Sequence, residues 1–483
     1  MARLVIAAAT SGSGKTTVAT AVAAAMRRRG LRVQPFKVGP DYIDPSYHAR
    51  AAGAPSRNLD SWLLEPPALL ELFARAAAPA DVAVVEGVMG LYDGRADTEE
   101  GSTAQVAKLL DAPVVLVLDV GKVSRTAAAL ALGCQRYDPD VRIAGVVLNR
   151  VGSERHHAWT ASSIERATGL PVLGYLPKRS DLTLPERHLG LVPVAEGRVG
   201  DDFFERLVDQ VERTVDLDAL LRLARSAPPL TARPTGLFPA EPVAPRTRLA
   251  VARDEAFTFY YEDNLDLLRA WGAELAPFSP LRDDRLPPGV GGVYIGGGFP
   301  ELFGRELSAN RSMLASLREA ARDGLPLYAE CGGLMLLSEG IVDFDGNRHQ
   351  LAGIVPGWST LDRPRLHVGY RTAVARRSSF LLDAGERLRG HEFHWSRVTA
   401  VPAETAAYAI DGEEGRVEGF VRGNVLASYL HVHFGSDARM APRFVEACAK
   451  AARSARSGAT LPSHRDGGAG PTVSTGEAAR PET

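Results

Sequence analysis

Two sets of residues in this 483-residue chain have the types and spacing for chemistry. The first is Thr10-Ser11-Gly12-Ser13-Gly14-Lys15-Thr16-Thr17, which follows the apolar run Leu4 to Ala9 and opens a helical pattern from Val18 to Arg29. Turn amides and the positive end of a helix attract phosphate, a lysine there reaches the terminal phosphates, and the Thr16 hydroxyl can ligate magnesium. The stretch reads as a nucleotide site, with Gly12, Gly14, Lys15, Thr16 and Thr17 as contacts. Ala9 replaces the Gly that opens the usual G-x-x-x-x-G-K-[ST] pattern, so the loop is a variant. The second set centres on Glu330-Cys331-Gly332-Gly333, a cysteine on a sharp turn between a short apolar strand and a helix. Such an elbow pushes the thiol out at a helix N-terminus, whose dipole is expected to lower its pKa. A thiolate needs a base, and His431 and His433, in the strand-like run Ala427 to Phe434, are the candidates. The separate turn Gly296-Gly297-Gly298 can supply an oxyanion hole.

Carboxylates close other apolar runs. Arg32 to Phe36 leads into Lys37-Val-Gly-Pro-Asp41-Tyr-Ile-Asp44-Pro, and Val82 to Val85 leads into Glu86-Gly-Val-Met-Gly-Leu-Tyr-Asp93-Gly. At the C-terminal edge of an open α/β sheet such groups meet ligands. Asp41 and Asp44 either hold magnesium or orient a phosphate acceptor, or else make Asx-turns around the prolines. Glu86 reads as a magnesium or water-orienting carboxylate, with a plain salt bridge as the alternative. Asn149, closing Ile143 to Leu148, either reads an adenine edge or caps a turn. His391 and His394 lack H-E-x-x-H spacing, and residues three apart on a strand face opposite ways, so a metal pair is not expected there.

These residues need strands and helices to hold them. Further apolar runs at Val114 to Leu118, Ile143 to Leu148 and Pro171 to Pro177 alternate with helical patterns at Thr103 to Leu110 and Thr126 to Arg136. That alternation implies a parallel, doubly wound sheet. Asp202 to Ala224 predicts one amphipathic helix. Ser226 to Pro245 carries six prolines without periodicity and reads as a semi-rigid linker. A second α/β pattern starts at Arg248 to Ala252, with a helix near Tyr260 to Trp271, a strand Gly292 to Ile295 and a helix Leu307 to Asp323. The polar stretches Arg365 to Arg371 and Gly390 to Ser396 read as strands. From about Ser454 a mixture of Gly, Ser, Arg and Pro predicts a disordered tail. The fold class is therefore α/β, with two mainly parallel domains at 1–225 and 247–452, a linker at 226–246 and a tail at 453–483.

Composition narrows the partners. Apolar residues at 45 % and charged residues at 24 % are ordinary for a soluble globular protein. A formal charge of −2 leaves no footprint for nucleic acid or an anionic membrane. Three cysteines, Cys134, Cys331 and Cys448, suit a reducing cytosol rather than a disulfide framework. The apolar start runs straight into the phosphate loop, unlike a signal peptide, and no run of about 18 apolar residues is present to span a bilayer.

With these motifs in order, joined by Asn58-Leu-Asp-Ser-Trp62, Gly297-Gly-Phe-Pro-Glu301 and Tyr429-Leu-His-Val-His-Phe, the chain resembles the cobyrinic acid a,c-diamide synthases. Their aerobic-pathway counterparts act on hydrogenobyrinic acid, and the likeness covers residues 1 to 450 or so. The resemblance implies a dethiobiotin-synthetase-like, P-loop domain that activates a corrinoid carboxylate with ATP and magnesium. It also implies a class I, triad-type glutamine amidotransferase domain that supplies ammonia. Cys331 would be the nucleophile, His431 the base with His433 as second choice, and Gly297 and Gly298 the oxyanion donors. Many members of the wider amidotransferase class carry glutamate where His433 stands, which leaves the orienting group open. On the synthetase side Lys15 and Thr16 would hold ATP and magnesium, with Glu86 and Asp41 near the metal, Asp44 and Asp93 near the acceptor, and Asn149 near the nucleotide. The expected partners are a corrinoid tetrapyrrole, L-glutamine and ATP, without nucleic acid or membrane, and a homodimer is allowed for. Cobyric acid synthase and a nickel-sirohydrochlorin diamide synthase are the nearest rivals, and Tyr42-Ile-Asp44-Pro with Asn58-Leu-Asp60 favours the a,c-diamide reading. A non-catalytic ATP switch with a decayed C-terminal half is a further alternative, opposed by the intact Cys331 and His431.

Overall fold

The computed structural model describes residues 1–458 except 183, 185, 188, 189, 192, 193, 195, 196, 198, 362–365 and 400. Seven parallel strands carry the N-terminal half: Arg3–Ala8, Val33–Val38, Arg57–Leu59, Val82–Glu86, Val114–Asp119, Ile143–Val151 and Val172–Pro177. In space they lie in the order third, second, fourth, first, fifth, sixth, seventh. Helices cover both faces, which is why Arg3–Ala8, Val33–Val38 and Val82–Glu86 are buried throughout. The strand order reverses around Arg3–Ala8, so the loops leaving Ala8, Val38 and Glu86 open together at one sheet edge. Ligands bind at such a switch point.

In the C-terminal half the central sheet has six strands, in the order Ala273–Phe278, Thr247–Ala252, Gly292–Ile295, Leu327–Glu330, Val425–Ser428 and Phe420–Arg422. All pairings are parallel except the last. Two four-stranded sheets are added to it, of which the antiparallel pair His367–Ala375 and Arg387–His394 matters for function. The mainly parallel, doubly wound expectation holds for both central sheets.

Four local expectations change. Asp202 to Ala224 forms two helices, Asp201–Thr214 and Leu217–Arg225. Between them Val215 turns extended and bridges Gly174, while the Asp216 carboxylate caps the second helix at the Ala219 amide. Leu307 to Asp323 also divides, into Gly304–Ala309 and Arg311–Arg322, because the Asn310 side chain accepts from the Met313 amide and starts a new helix. The run Ala427 to Phe434 is a strand only to Ser428, and His431 pairs with His391 in an isolated antiparallel bridge. The C-terminal helix Met440–Gly458 extends into the start of the expected tail. Residues 459–483, and Arg365 of the first polar stretch, lie outside the described residues.

The Pro-rich segment has no helix or strand between Ser226 and Pro245, yet it is anchored. Glu71 accepts from the amide and hydroxyl of Thr235, and Trp271 Nε1 donates to the Leu237 carbonyl at 2.8 Å. The halves meet closely. Arg57 reaches Asp263 and Asp266 at 2.5 Å each, Tyr370 donates to Asp60 at 2.9 Å, and Trp62 packs on Tyr370 with centroids 4.5 Å apart. One apolar cluster runs from Leu4 and Phe36 through Tyr42 and Tyr261 to Phe434, so burial does not stop at the junction. Among the described residues, no helix is long and apolar enough to cross a membrane.

Candidate active sites at the junction of the two halves

Strand Arg3–Ala8 ends at the phosphate loop, and helix Lys15–Arg28 begins from Gly14, whose φ of 87° is left-handed. A Cβ on Gly14 would lie 2.1 Å from Asn149 Nδ2, the atom that donates to the Ser13 carbonyl at 2.9 Å. Asn149 thus braces the loop from strand Ile143–Val151, two strands away in the sheet. Lys15 Nζ donates to the carbonyl of Met89, which sits in the turn after Glu86 with a φ of 45°.

Behind the loop lies a charge network. Thr16 Oγ1 is 2.8 Å from Glu86 Oε1 and 3.2 Å from Asp44 Oδ2. Lys37 Nζ is 2.7 Å from Asp44 Oδ2, 3.0 Å from Glu86 Oε1 and 4.0 Å from Asp41 Oδ2. His48 Nε2 lies 2.7 Å from Glu86 Oε2. Burial opposes charge on Lys37, but Asp44, Glu86 and Asp41 outweigh it and hold the ammonium firmly protonated. Burial likewise acts on Glu86, yet Lys37 and His48 keep its carboxyl below the ordinary range. For Asp41, burial and then the charge of Asp44 push the carboxyl up.

The four acidic residues therefore differ. Asp41 Oδ1 accepts from the amides of Ile43 and Asp44 at 2.8 and 3.2 Å, the Asx-turn that opens helix Asp44–Ala52. Asp44 and Glu86 point at the Thr16 hydroxyl instead, so Asp44 stands where Asp41 was expected among the metal-facing groups. Asp93 accepts from the Gly90 amide at 2.8 Å and is not among the residues lining the cavity described next. Lys37 and His48 carry no role in the sequence reading. The signal for Lys37 was present, since it sits near the end of a strand buried throughout, and a lysine is seldom buried unpaired.

A cavity of about 410 Å³ opens over this network. Gly12, Gly14, Lys15, Thr16, Thr17, Asp41, Asp44 and Glu86 line it from one half, and Phe259, Val368, His391 and Phe393 from the other. Hard oxygen donors converge on it: the Thr16 hydroxyl with the Asp44 and Glu86 carboxylates. That set suits magnesium, which keeps several waters and phosphate oxygens rather than a full protein cage.

Cys331 sits at the N-terminal end of helix Gly332–Leu337 with φ 48°, the strained elbow the sequence predicts, and its amide donates to the Ser428 carbonyl at 2.7 Å. Its thiol differs from expectation. The residue is 4 % exposed, and burial, then the charge of Glu301, pushes the pKa up rather than down, because a six-residue helix cannot offset desolvation. Gly298, at φ 157°, has its missing Cβ 2.0 Å from the Ala256 carbonyl, and Gly332 packs against its amide. Gly297 lies against the His431 ring, where a Cβ would come within 2.5 Å of Cε1. The glycine turn thus links the elbow to His431.

His431 is fully buried, neither ring nitrogen has a hydrogen-bond partner, and burial drives its pKa down to about 3. A neutral imidazole with free nitrogens can take a proton. His433 is tied down: its Nδ1 accepts from the Gly435 amide at 3.0 Å, its Nε2 is 3.7 Å from Asp263, and Tyr261 covers its ring. The strand before the elbow ends at Glu330, which accepts from Tyr328 at 2.6 Å, Tyr294 at 3.1 Å and the Val432 amide at 3.0 Å, and so fixes the backbone next to His431.

The cavity at Cys331 is about 20 Å³, room for one water. Phe259, Gly298, Phe393 and His394 line it among others. Phe259 and Phe393 also line the larger cavity, so an aromatic wall separates two chemically distinct sites. Tyr42, from the loop of Asp41 and Asp44, stacks on Phe259 and packs on His431, with centroids 5.2 and 4.9 Å apart.

Comparison with known proteins divides the chain in the same way. Residues 4–192 match the CobQ/CobB/MinD/ParA nucleotide binding domain, and residues 248–439 match the CobB/CobQ-like glutamine amidotransferase domain. The cobyrinate a,c-diamide synthase of Dehalococcoides mccartyi is 48 % identical over 92 % of this chain and 97 % of its own length. The hydrogenobyrinate a,c-diamide synthase of Streptomyces coelicolor is 47 % identical over 92 % and 97 %. The cobyrinate a,c-diamide synthase of Priestia megaterium is 43 % identical over 94 % and 98 %.

Proposed function

The chain belongs to the family of cobyrinate and hydrogenobyrinate a,c-diamide synthases, and from that membership we propose that it amidates the a and c acetate carboxylates of cobyrinic or hydrogenobyrinic acid in cobalamin synthesis. ATP activates each carboxylate and glutamine supplies the nitrogen. The division of labour follows residues 1–225 for activation and 247–452 for ammonia release, with 226–246 as the anchored linker.

A carboxylate is a poor acylating agent, so its oxygen first attacks the γ-phosphorus of ATP, giving an acyl phosphate and ADP. The phosphate-loop amides and Lys15 carry the charge that spreads over the transferring group. Thr16, Glu86 and Asp44 would hold magnesium, which when bound neutralises phosphate charge and aligns the displacement. Lys37 orients the Asp44 and Glu86 carboxylates and helps hold Glu86 ionised. In the other half Cys331 loses its proton to His431 and attacks the side-chain amide of glutamine, while the Gly297 and Gly298 amides receive the oxyanion. Ammonia leaves, and water hydrolyses the thioester to glutamate. Ammonia then crosses between the sites as the neutral molecule, past Phe259 and Phe393.

The observation that carries this reading is the pair of cavities, one over the Gly12 to Thr17 loop and one at the Cys331 thiol, that share these two rings. Cys331→Ser tests it. The variant is expected to lose glutamine-dependent amidation and to keep amidation with ammonium salt. Loss of both activities in a folded variant would refute the division of labour.

A further inference from the structure

His391 has no part in the scheme so far, yet it stands where the two chemistries meet. Strand Arg387–His394 carries His391 and Phe393 at alternate positions, and both line the cavity over the phosphate loop. Their rings lie 6.3 Å apart, and Phe393 is half of the wall facing Cys331. His391 is therefore the polar side chain next along the face that ammonia follows. The His391 backbone is bonded to His431 in both directions, at 3.0 and 2.9 Å, which ties its position to that of the glutaminase base. Its ring is held edge-on by Tyr370, 5.5 Å away on the paired strand. The residue is 6 % exposed, and its Nδ1 has no hydrogen-bond partner. No other histidine lines this cavity among the described residues; its remaining ionisable side chains include Lys15, Lys37 and Arg150 with Asp41, Asp44 and Glu86.

We propose that His391 is the proton acceptor in the amide-forming step, a catalytic residue of the synthetase reaction contributed by the amidotransferase half. The proposal rests on the acyl-phosphate reading. The lone pair of ammonia attacks the acyl carbon and forms the C–N bond, placing a positive charge on nitrogen. His391 takes one proton from that nitrogen, the bond between the acyl carbon and the phosphate oxygen breaks, and the imidazolium returns the proton to the departing phosphate. The products are the amide and hydrogen phosphate, and the imidazole is regenerated. Without a base the tetrahedral adduct expels ammonia more readily than phosphate. Burial and the nearby Arg371 push the imidazole down to about 3, so the ring enters the step neutral, with Nδ1 unpartnered. The carboxylates of this cavity are engaged elsewhere, Asp44 and Glu86 with Lys37 and Thr16, and Asp41 Oδ1 with the amides of Ile43 and Asp44.

The test uses full-length His391→Gln with ammonium salt as nitrogen source and cobyrinic acid as acceptor. Amidation is expected to fall by roughly 10² to 10⁴. Acyl-phosphate formation, read as acceptor-dependent scrambling of the bridging oxygen in γ-labelled ATP without any nitrogen source, should stay within a few-fold of wild type. Hydroxylamine, whose adduct sheds its proton to water more easily, should narrow the deficit. Normal amidation in the variant overturns the proposal, as does scrambling that falls in step with amidation, which would assign His391 to phosphoryl transfer or acceptor binding. Parallel loss of glutaminase turnover would also overturn it, by revealing only a support for His431. Absence of scrambling in wild type would instead remove the acyl-phosphate reading, and this proposal with it.

Discussion

Asp41 and Asp44 stand three residues apart in one Gly/Pro loop, and the fold sets them to different tasks. Asp41 holds two backbone amides, work an asparagine can also do, whereas Asp44 faces Lys37 and Thr16 with its carboxylate. Asp44→Asn should therefore slow ammonium-supported amidation by roughly 10²-fold or more through loss of an electrostatic contribution, while Asp41→Asn keeps a much larger share of the rate. Steady-state assays on both variants check this, with thermal midpoints near wild type to exclude misfolding. Equal losses would mean that the turn and the charge are not separable. Which of the two acids carries the charge was not legible in the chain, because both follow the same strand and both precede a helix. The nucleophile was legible, since Cys331 is flanked by the glycines that a strained turn needs.

At the scale of elements, the strand Leu327–Glu330 and the segment 429–434 hold the elbow and His431 together through one buried carboxyl. Burial raises the Glu330 pKa from 4.5 to about 7, against the hydrogen bonds from Tyr328, Val432 and Tyr294. Between pH 4.5 and 7 the folded chain thus keeps a proton that the unfolded chain has released. Stability is fullest below that window and falls as the pH rises through it. The shift corresponds to about 3 kcal/mol at most. Glu330→Gln, which cannot ionise, should flatten this part of the pH dependence, as measured by unfolding midpoints at the two ends of the window. An unchanged slope would show that another group, with Glu418 at a similar value of about 7 the first to examine, dominates.

For the whole molecule, the junction is the functional unit. Arg57 of the N-terminal half ties down Asp263, which also lies beside His433, and the neighbouring contacts of Tyr370, Trp62 and Tyr42 surround the aromatic wall. Removing one partner of a buried ion pair leaves the other uncompensated and costs about 3 to 5 kcal/mol. Arg57→Ala should lower the calorimetric midpoint and, by loosening the wall, raise the ratio of glutamate formed to amide formed. A lower midpoint with an unchanged ratio would separate stability from ammonia transfer.

Local chemistry in the sequence determined the phosphate loop, the Cys331 elbow, the parallel strands and the division into two α/β patterns. Each depends on neighbours within a turn or on a strand's own apolar run, as with Gly14 before Lys15 or Val82 to Val85 before Glu86. Helix boundaries were missed where a distant partner intervened, as Gly174 does at Val215, and where a local cap went unread, as at Asn310. Tertiary structure alone decided the pairing of Lys37 with Asp44 and Glu86, the raised pKa of Cys331 and the differing surroundings of His431 and His433. It alone set His391 and Phe393 opposite the phosphate loop. The contacts involved link residues 7 to 310 positions apart, from Lys37 with Asp44 to Asp60 with Tyr370, and their burial exists only once the two sheets have closed on each other.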